Sequence, residues 1–163
     1  MGELGLHPPR HRVAPRAVVW WTLRGALGGG IPVLAGLIVF LFVDSWRPWL
    51  GPVLIALAVL TVAHAAVVPS WRYRVHRWEA TDDAVYALSG WFVREWRVAP
   101  LSRVQTVDAT RGPLQRALGL ATVTVTTASA SGPVQLVALP DAEATEVAAR
   151  LTATVGRTAG DAT

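Results

Sequence analysis

Two long apolar segments dominate the first half of the chain. Residues 25–43 read GALGGGIPVLAGLIVFLFV, and residues 49–68 read WLGPVLIALAVLTVAHAAVV. Each approaches the roughly 20 apolar residues that an α-helix needs to cross a bilayer, and only DSWRP separates them. A secretory signal is the alternative for the first segment, but its apolar core would be shorter and a cleavage site would follow. The pattern predicts a transmembrane hairpin over residues 20–69.

Beyond Pro69 the pattern becomes an alternation of apolar and polar positions. This period of two is typical of strands that bury one face, and it predicts strands from residue 71 onward. The dipeptide Ser89–Gly90 predicts a two-residue hairpin, and TDD at residues 81–83 predicts a turn. In ATVTVTTAS, residues 121–129, valines alternate with threonines, so the valines are expected to be buried. The whole pattern indicates about six antiparallel strands.

A short helix is predicted between two of these strands. Pro113 suits a first helical position, because its fixed φ and missing N–H cost nothing there. Leu114 and Leu118 then share one face, and Gly119 suits the left-handed conformation that often ends a helix. We expect this segment to close one end of the sheet, which is a structural role.

The last predicted element is an amphipathic helix that starts at Asp141, a favourable N-cap. The expected fold class is α+β: a two-helix transmembrane hairpin, followed over residues 70–155 by an antiparallel β half-barrel or sandwich with a C-terminal helix. Residues 1–19, a basic segment, and residues 156–163 are expected to be disordered tails. The helix carries an apolar stripe at Ala144, Val147, Ala148, Leu151 and Val155.

Arginines orient the predicted hairpin. Four arginines precede the first apolar segment and three follow the second, whereas the connecting loop has only Arg47, offset by Asp44. The positive-inside rule therefore predicts a multi-pass plasma-membrane protein with both termini in the cytoplasm. Tryptophans near the ends of both segments are typical of an aromatic belt. The residues expected to contact the lipid bilayer at its interfaces are Arg16, Trp20, Trp21, Arg24, Trp46, Trp49, Trp71, Arg72, Arg74 and Arg77. The last three, Arg72, Arg74 and Arg77, are expected to lie along one strand.

The composition narrows the possible chemistry. The chain has no cysteine and no lysine, which excludes thiolate sites, disulfides, a phosphate-binding lysine and Schiff-base catalysis. The acidic residues and histidines are scattered, so no catalytic constellation, metal site or cofactor is predicted. Charges after Pro69 nearly balance, and nucleic-acid binding is not expected. The chain is therefore predicted not to be an enzyme.

Two features within the predicted spans each have two readings. The glycine run 28–30 could bind phosphate, but it lies inside an apolar span, and the Gly25-x-x-x-Gly29 spacing favours close helix packing. His64 could be part of a proton relay, since ionisable groups within spans are often functional. No carboxylate accompanies it in either span, which favours an interfacial histidine near the cytoplasmic end of its helix.

Two sequence motifs carry a resemblance to a known family. PLSRVQ occupies residues 100–105, and GPLQRALGL occupies residues 112–120. Over residues 20–155 the chain resembles the bacterial PH-domain membrane proteins of the YdbS type. The resemblance implies a pleckstrin-homology-like (PH-like) domain, and as partner a larger membrane protein with several copies of this domain, or the chain itself. The motif residues are Pro100, Leu101, Arg103, Gln105, Gly112, Pro113, Leu114, Leu118 and Gly119.

Two functions remain open for such a domain. It could be a protein-interaction or assembly module at the cytoplasmic face, because exposed strand edges accept partner strands. It could instead be a sensor of anionic lipids or membrane stress that binds headgroups through the juxtamembrane arginines. Eukaryotic PH domains bind phosphoinositides through a basic loop, and the matching loop here, Ala80–Asp83, is acidic. The sequence therefore favours the interaction module.

Overall fold

The computed structural model describes residues 9–128 and 132–160. The chain divides into two compact units: Val18–Trp71, and a unit that joins the segment ending at Ala17 to Arg72 and the residues after it. The elements in chain order are β1 (His11–Arg12), α1 (Arg16–Phe42), a 3₁₀ turn (Asp44–Trp46), α2 (Arg47–Val75), β2 (Arg77–Ala80), β3 (Ala84–Ser89), β4 (Glu95–Pro100), a 3₁₀ turn (Leu101–Arg103), β5 (Val104–Thr110), α3 (Pro113–Ala117), β6 (Leu120–Thr127), β7 (Val134–Pro140) and α4 (Asp141–Gly160).

The two helices α1 and α2 are long and apolar enough to cross a membrane, as predicted. Both exceed their predicted bounds: α1 begins at Arg16, and α2 continues through Pro69 to Val75. The prediction of a strand from residue 71 is therefore wrong for residues 71–75. A helix can absorb one proline as a kink, and arginines in the last turn interact favourably with the negative end of the helix dipole.

Glycines on one face of α1 allow it to approach α2 closely. A Cβ atom added at Gly29 would overlap the side chain of Thr61, and one added at Gly25 would lie 3.1 Å from Nδ1 of His64. At Gly28 and Gly30 an added Cβ would meet nothing within 4 Å. The spacing from Gly25 to Gly29 therefore marks a packing face, as the sequence predicts, because small residues let helix backbones approach each other in a membrane.

The N-terminal segment belongs to the β-rich unit. β1 pairs antiparallel with β2, and the backbone N–H of Ala14 donates to the carbonyl of Ala138 at 3.1 Å. Val13 and Ala17 are buried. The prediction of a disordered tail over residues 1–19 is therefore wrong for residues 9–19, and residues 1–8 lie outside the described part of the chain. A two-residue strand has too short a pattern to be recognised by alternation alone.

The β-rich unit contains two antiparallel sheets. Strands β1-β2-β3-β4 form one sheet and β5-β6-β7 the other, and the two do not close into a barrel. β3 and β4 pack near β7, while α4 packs against the second sheet. The side chains that fill this core are the apolar alternates of the strands and the stripe of α4; the largest fully buried ones include Leu120, Leu136, Leu139, Leu151, Val85, Val123 and Val125. This arrangement confirms the predicted α+β class.

Two local features differ from the prediction. The β3–β4 hairpin ends at the pair Ser89–Glu95, so the loop spans residues 90–94 rather than two residues. Helix α4 continues to Gly160, which makes the predicted tail wrong for residues 156–160, while residues 161–163 lie outside the described range. Gly90 does adopt the positive φ (113°) that a tight turn requires.

Candidate functional site

The second family motif forms a short helix held by one amide side chain. The backbone N–H of Gly112 donates to Oε1 of Gln115 at 3.0 Å, and Nε2 of Gln115 donates to Oγ1 of Thr122 at 2.8 Å. Gln115 is buried, so both ends of its amide need a partner. Gln115 is part of the motif GPLQRALGL, but no capping role was predicted for it, although a glutamine three residues after a helix N-cap is a known capping signal.

The end of this helix matches the prediction. Gly119 has φ 65°, in the left-handed region, and its carbonyl accepts the backbone N–H of Asp141 at 3.0 Å. The carbonyl of the preceding residue, Leu118, accepts Nη1 of Arg16 at 3.4 Å. Pro113 occupies the first turn of α3, and Leu114 and Leu118 are half-buried. The motif therefore joins β6, α4 and the N-terminal segment.

The first family motif forms the corner between the two sheets. Leu101 is buried, and its backbone N–H donates to the carbonyl of Asp83 at 2.8 Å. The carbonyl of Arg103 accepts the N–H of Ala128 at 3.3 Å. The side chains of Arg103 and Gln105 are exposed, as is Pro100 at the end of β4. Leu101 thus anchors the corner, and Arg103 and Gln105 face solvent beside it.

This corner separates two open strand edges. Among the described strands, β4 pairs only with β3, and β5 pairs only with β6. Five of the β5 side chains are exposed: Gln105, Thr106, Asp108, Ala109 and Thr110. An edge strand presents backbone donors and acceptors that another strand can pair with. The open β4 and β5 edges are therefore a candidate interaction surface.

The residues predicted at the membrane interfaces have several different surroundings. Trp20 and Trp21 lie in α1 and are buried, and the guanidinium of Arg24 lies 5.9 Å from the centre of the Trp20 ring. Trp71 and the pair Trp46 and Trp49 are exposed. Trp46 and Trp49 line a surface pocket of about 280 Å³ with Leu50 and Val53.

The three arginines after Trp71 do not share one strand. Arg72 and Arg74 lie in the last turn of α2, and Arg77 is the first residue of β2, where it pairs with Arg12 of β1. The expectation that Arg72, Arg74 and Arg77 lie along one strand is therefore wrong. It failed because the alternation in WRYRV also fits the end of a helix with half-buried and exposed faces.

A polar cleft lies between the end of α2 and the strands β3, β4 and β7. Its volume is about 450 Å³, and its lining includes Arg72, His76, Gly90, Glu95 and Arg97. Arg97 donates to Oε1 of Glu95 at 2.6 Å and to the carbonyl of Pro133 at 2.8 Å. The ion pair and the hydrogen bond hold the base of the β3–β4 hairpin against β7.

His76 is the buried titratable group of this cleft. Its Nδ1 lies 2.8 Å from the carbonyl oxygen of Arg72, which can only accept, so Nδ1 carries the proton. Burial lowers the pKa of His76 to about 4; the hydrogen bond opposes this effect, and the Arg72 charge adds to it. The imidazole is therefore neutral near pH 7, and it ends α2 by hydrogen bonding to the last helical turn.

The turn between β2 and β3 is held by a threonine. Oγ1 of Thr81 accepts the backbone N–H of Ala84 at 3.1 Å, and Asp82 and Asp83 are exposed. The turn predicted at TDD is confirmed. No group of three or more acidic or histidine side chains in residues 9–128 and 132–160 is arranged to hold a metal ion.

Comparison with known proteins identifies the family to which this architecture belongs. The Bacterial PH domain family matches residues 30–154, which is most of the chain. The chain belongs to the bacterial PH domain family. It is also similar to the UPF0699 transmembrane protein YdbS of Bacillus subtilis (strain 168), with 29% identity over 124 residues that cover 74% of this chain and 78% of that protein. No solved structure matches the chain significantly.

Both parts of this bacterial PH domain protein can now be identified. The apolar helices and the transmembrane relative identify it as a membrane protein. The PH-like part is the β-rich unit with α4, and the comparisons indicate no catalytic family. The predicted motif residues lie at the sheet corner and at α3. The capping role of Gln115, the N-terminal strand and the exposed apolar β3–β4 loop were not predicted.

Proposed function

We propose that this bacterial PH domain protein is a non-catalytic, multi-pass plasma-membrane protein that presents its domain at the cytoplasmic face as an interaction or assembly module. The observation that carries the proposal is the pair of open edges on β4 and β5. Main-chain hydrogen bonds along such an edge give affinity, and the side chains beside it give specificity. Exposed side chains along β5 leave this edge accessible.

The pairing of β1 with β2 supports the proposed topology. Residues 9–15 precede α1 and strand β2 follows α2, yet both belong to one unit. Two spans between them are compatible with this pairing only if the hairpin returns to the side on which it started. The excess of arginine at these two ends favours the cytoplasmic side.

The family resemblance suggests the kind of partner. It is a larger membrane protein with several copies of this domain, or a second copy of the chain. Two such domains attached to the cytoplasmic face of one membrane would meet with their strand edges restricted to few orientations. Restricting orientation before binding reduces the free energy lost on association.

The lipid-sensor alternative has less support. Arg72 and Arg74 lie on a helix and Arg77 lies on a strand, so the three side chains start from different elements. Arg97 is committed to Glu95, and the turn at Asp82 and Asp83 is acidic. Such an arrangement supports diffuse attraction to anionic lipid more than recognition of one headgroup.

Site-specific photocrosslinking in cells tests the proposal. A photoreactive amino acid at Gln105, on the exposed β5 edge, should give one defined adduct whose mass identifies a PH-domain membrane protein or a dimer of this chain. The matched control is the same amino acid at Arg116, which is exposed on α3. Introducing a charge at the edge by Ala109→Arg should reduce the adduct several-fold, because charged edges resist strand pairing. Equal labelling from both positions, or none from Gln105, would refute the interaction module.

A further inference from the structure

The loop between β3 and β4 exposes three consecutive large apolar side chains. Trp91 is 49% exposed, Phe92 87% and Val93 72%, and the two aromatic rings lie 6.1 Å apart. By contrast, Trp78 in the adjacent strand β2 is 4% exposed. Single exposed apolar residues are common, but a contiguous apolar tip indicates a surface that contacts something apolar. We name residues 91–93 the apolar loop tip.

The structure holds this tip away from the core. β3 and β4 pair up to Ser89 and Glu95, so the loop has little length in which to fold back. Gly90 takes φ 113°, and a Cβ atom there would overlap the carbonyl oxygen of Val93. The turn is therefore tight and requires glycine. At its base, Arg97 binds both Glu95 and the carbonyl of Pro133.

The base of the loop lies at the end of the domain where α2 finishes. Ser89 and Gly90 line the same cleft as Arg72 and His76. Arg72 lies in the last turn of α2 and directly follows Trp71 in the chain. The apolar loop tip thus projects from the part of the domain that is nearest in the chain to the membrane-spanning segment.

The chemistry of the loop matches a lipid headgroup region. Tryptophan prefers the membrane interface, and an exposed arginine there is attracted to anionic lipid. Arg94 follows the apolar loop tip and is exposed, while the nearby carboxylate of Glu95 is paired with Arg97. The loop therefore combines apolar side chains with an available positive charge, as interfacial segments do.

We propose that Trp91, Phe92 and Val93 insert into the headgroup region of the leaflet on the domain's side of the membrane. The apolar loop tip is then a second attachment of the domain, in addition to α1 and α2. It fixes the orientation of the domain on the bilayer without recognising a particular headgroup. This attachment is independent of the proposed interaction surface, because it uses the β3–β4 loop and not the strand edges.

A single cysteine label tests the insertion in the full chain. The chain contains no cysteine, so Phe92→Cys provides a unique site for an environment-sensitive fluorophore, and Asp82→Cys in the exposed β2–β3 turn is the matched control. Both proteins are reconstituted in nanodiscs that contain phosphatidylglycerol. We expect a nitroxide attached to lipid near the headgroup to quench the label at 92 several-fold more than the label at 82. Aqueous iodide should give the opposite order.

A further variant and the remaining outcomes decide the proposal. Replacing both neighbours, Trp91→Ser with Val93→Ser, should bring the label at 92 close to the quenching pattern of the control. Equal access of iodide to both labels would overturn the proposal. A label at 92 that neither quencher reaches would also overturn it, since protein and not lipid would then cover the loop. Phe92 is largely exposed, so its replacement leaves the folded domain intact.

Discussion

At the scale of single residues, Gly119 illustrates how a backbone requirement can be read from sequence and tested. Its φ of 65° lies where a β-branched side chain is strained. We expect Gly119→Val to lower the free energy of unfolding by about 1–3 kcal/mol. Arg116→Ala, at an exposed position of the same helix, should change it by less than about 0.5 kcal/mol. Thermal unfolding of the full chain in mild detergent measures both; equal midpoints would contradict this assignment.

His76 makes a second residue-scale prediction, on the pH dependence of stability. Its pKa is about 4 in the folded protein against 6.5 ordinarily, so on acidification the unfolded chain binds the proton first. The stabilisation is complete above pH 6.5, declines as pH falls from 6.5 to about 4, and is constant below that. The total loss is about 3 kcal/mol.

The variant His76→Gln keeps a donor for the Arg72 carbonyl but cannot titrate. Over the same pH range its unfolding free energy should fall less than that of the parent protein. The carboxylates contribute equally to both proteins, so the difference between the two curves isolates the histidine. Parallel curves between pH 6.5 and 4 would show that His76 titrates normally in the folded state.

At the scale of elements, the α1–α2 hairpin depends on which glycines face the partner helix. Gly29→Val should destabilise the hairpin by about 1–3 kcal/mol, because the new side chain would overlap Thr61. Gly30→Val is the matched control, since a Cβ at Gly30 meets nothing within 4 Å. Both changes alter helix propensity equally. Denaturation in detergent, followed by tryptophan fluorescence, should separate them, and a similar loss in both would argue against this packing face.

The elements also show where sequence patterns stop being informative. The Val123 and Val125 alternation in β6 was predicted correctly, because one solvated face and one buried face leave a clear period of two. The strand predicted directly after Pro69 was wrong, because the alternation of residues 71–75 also fits the end of a helix. β1 was missed for a different reason: two residues become a strand only when β2 is available to pair with them.

At the scale of the whole molecule, the N-terminal segment packs with residues that follow the two apolar helices in the chain. Residues 9–17 and the residues from Arg72 onward form one unit, and the segment between them contains the two apolar helices. The N–H of Ala14 binds the carbonyl of Ala138, a residue with φ 58° at an irregular pairing of β6 and β7. The N-terminal segment is therefore part of the domain, and a soluble domain that begins near residue 70 would lack it.

The sequence by itself determined the membrane helices, the α+β class, the left-handed glycine after α3 and the family. The first three depend on hydropathy, on local periodicity or on the φ of one residue, all of which act between residues close in the chain. The family rests on the resemblance carried by PLSRVQ and GPLQRALGL. Only the tertiary structure decided that β1 pairs with β2, that α2 ends at Val75 and that the amide of Gln115 is buried. It also decided which strand edges are open and that the side chains of Trp91, Phe92 and Val93 are exposed. Each of these depends on partners that are distant in sequence, since burial and strand pairing are properties of the assembled fold.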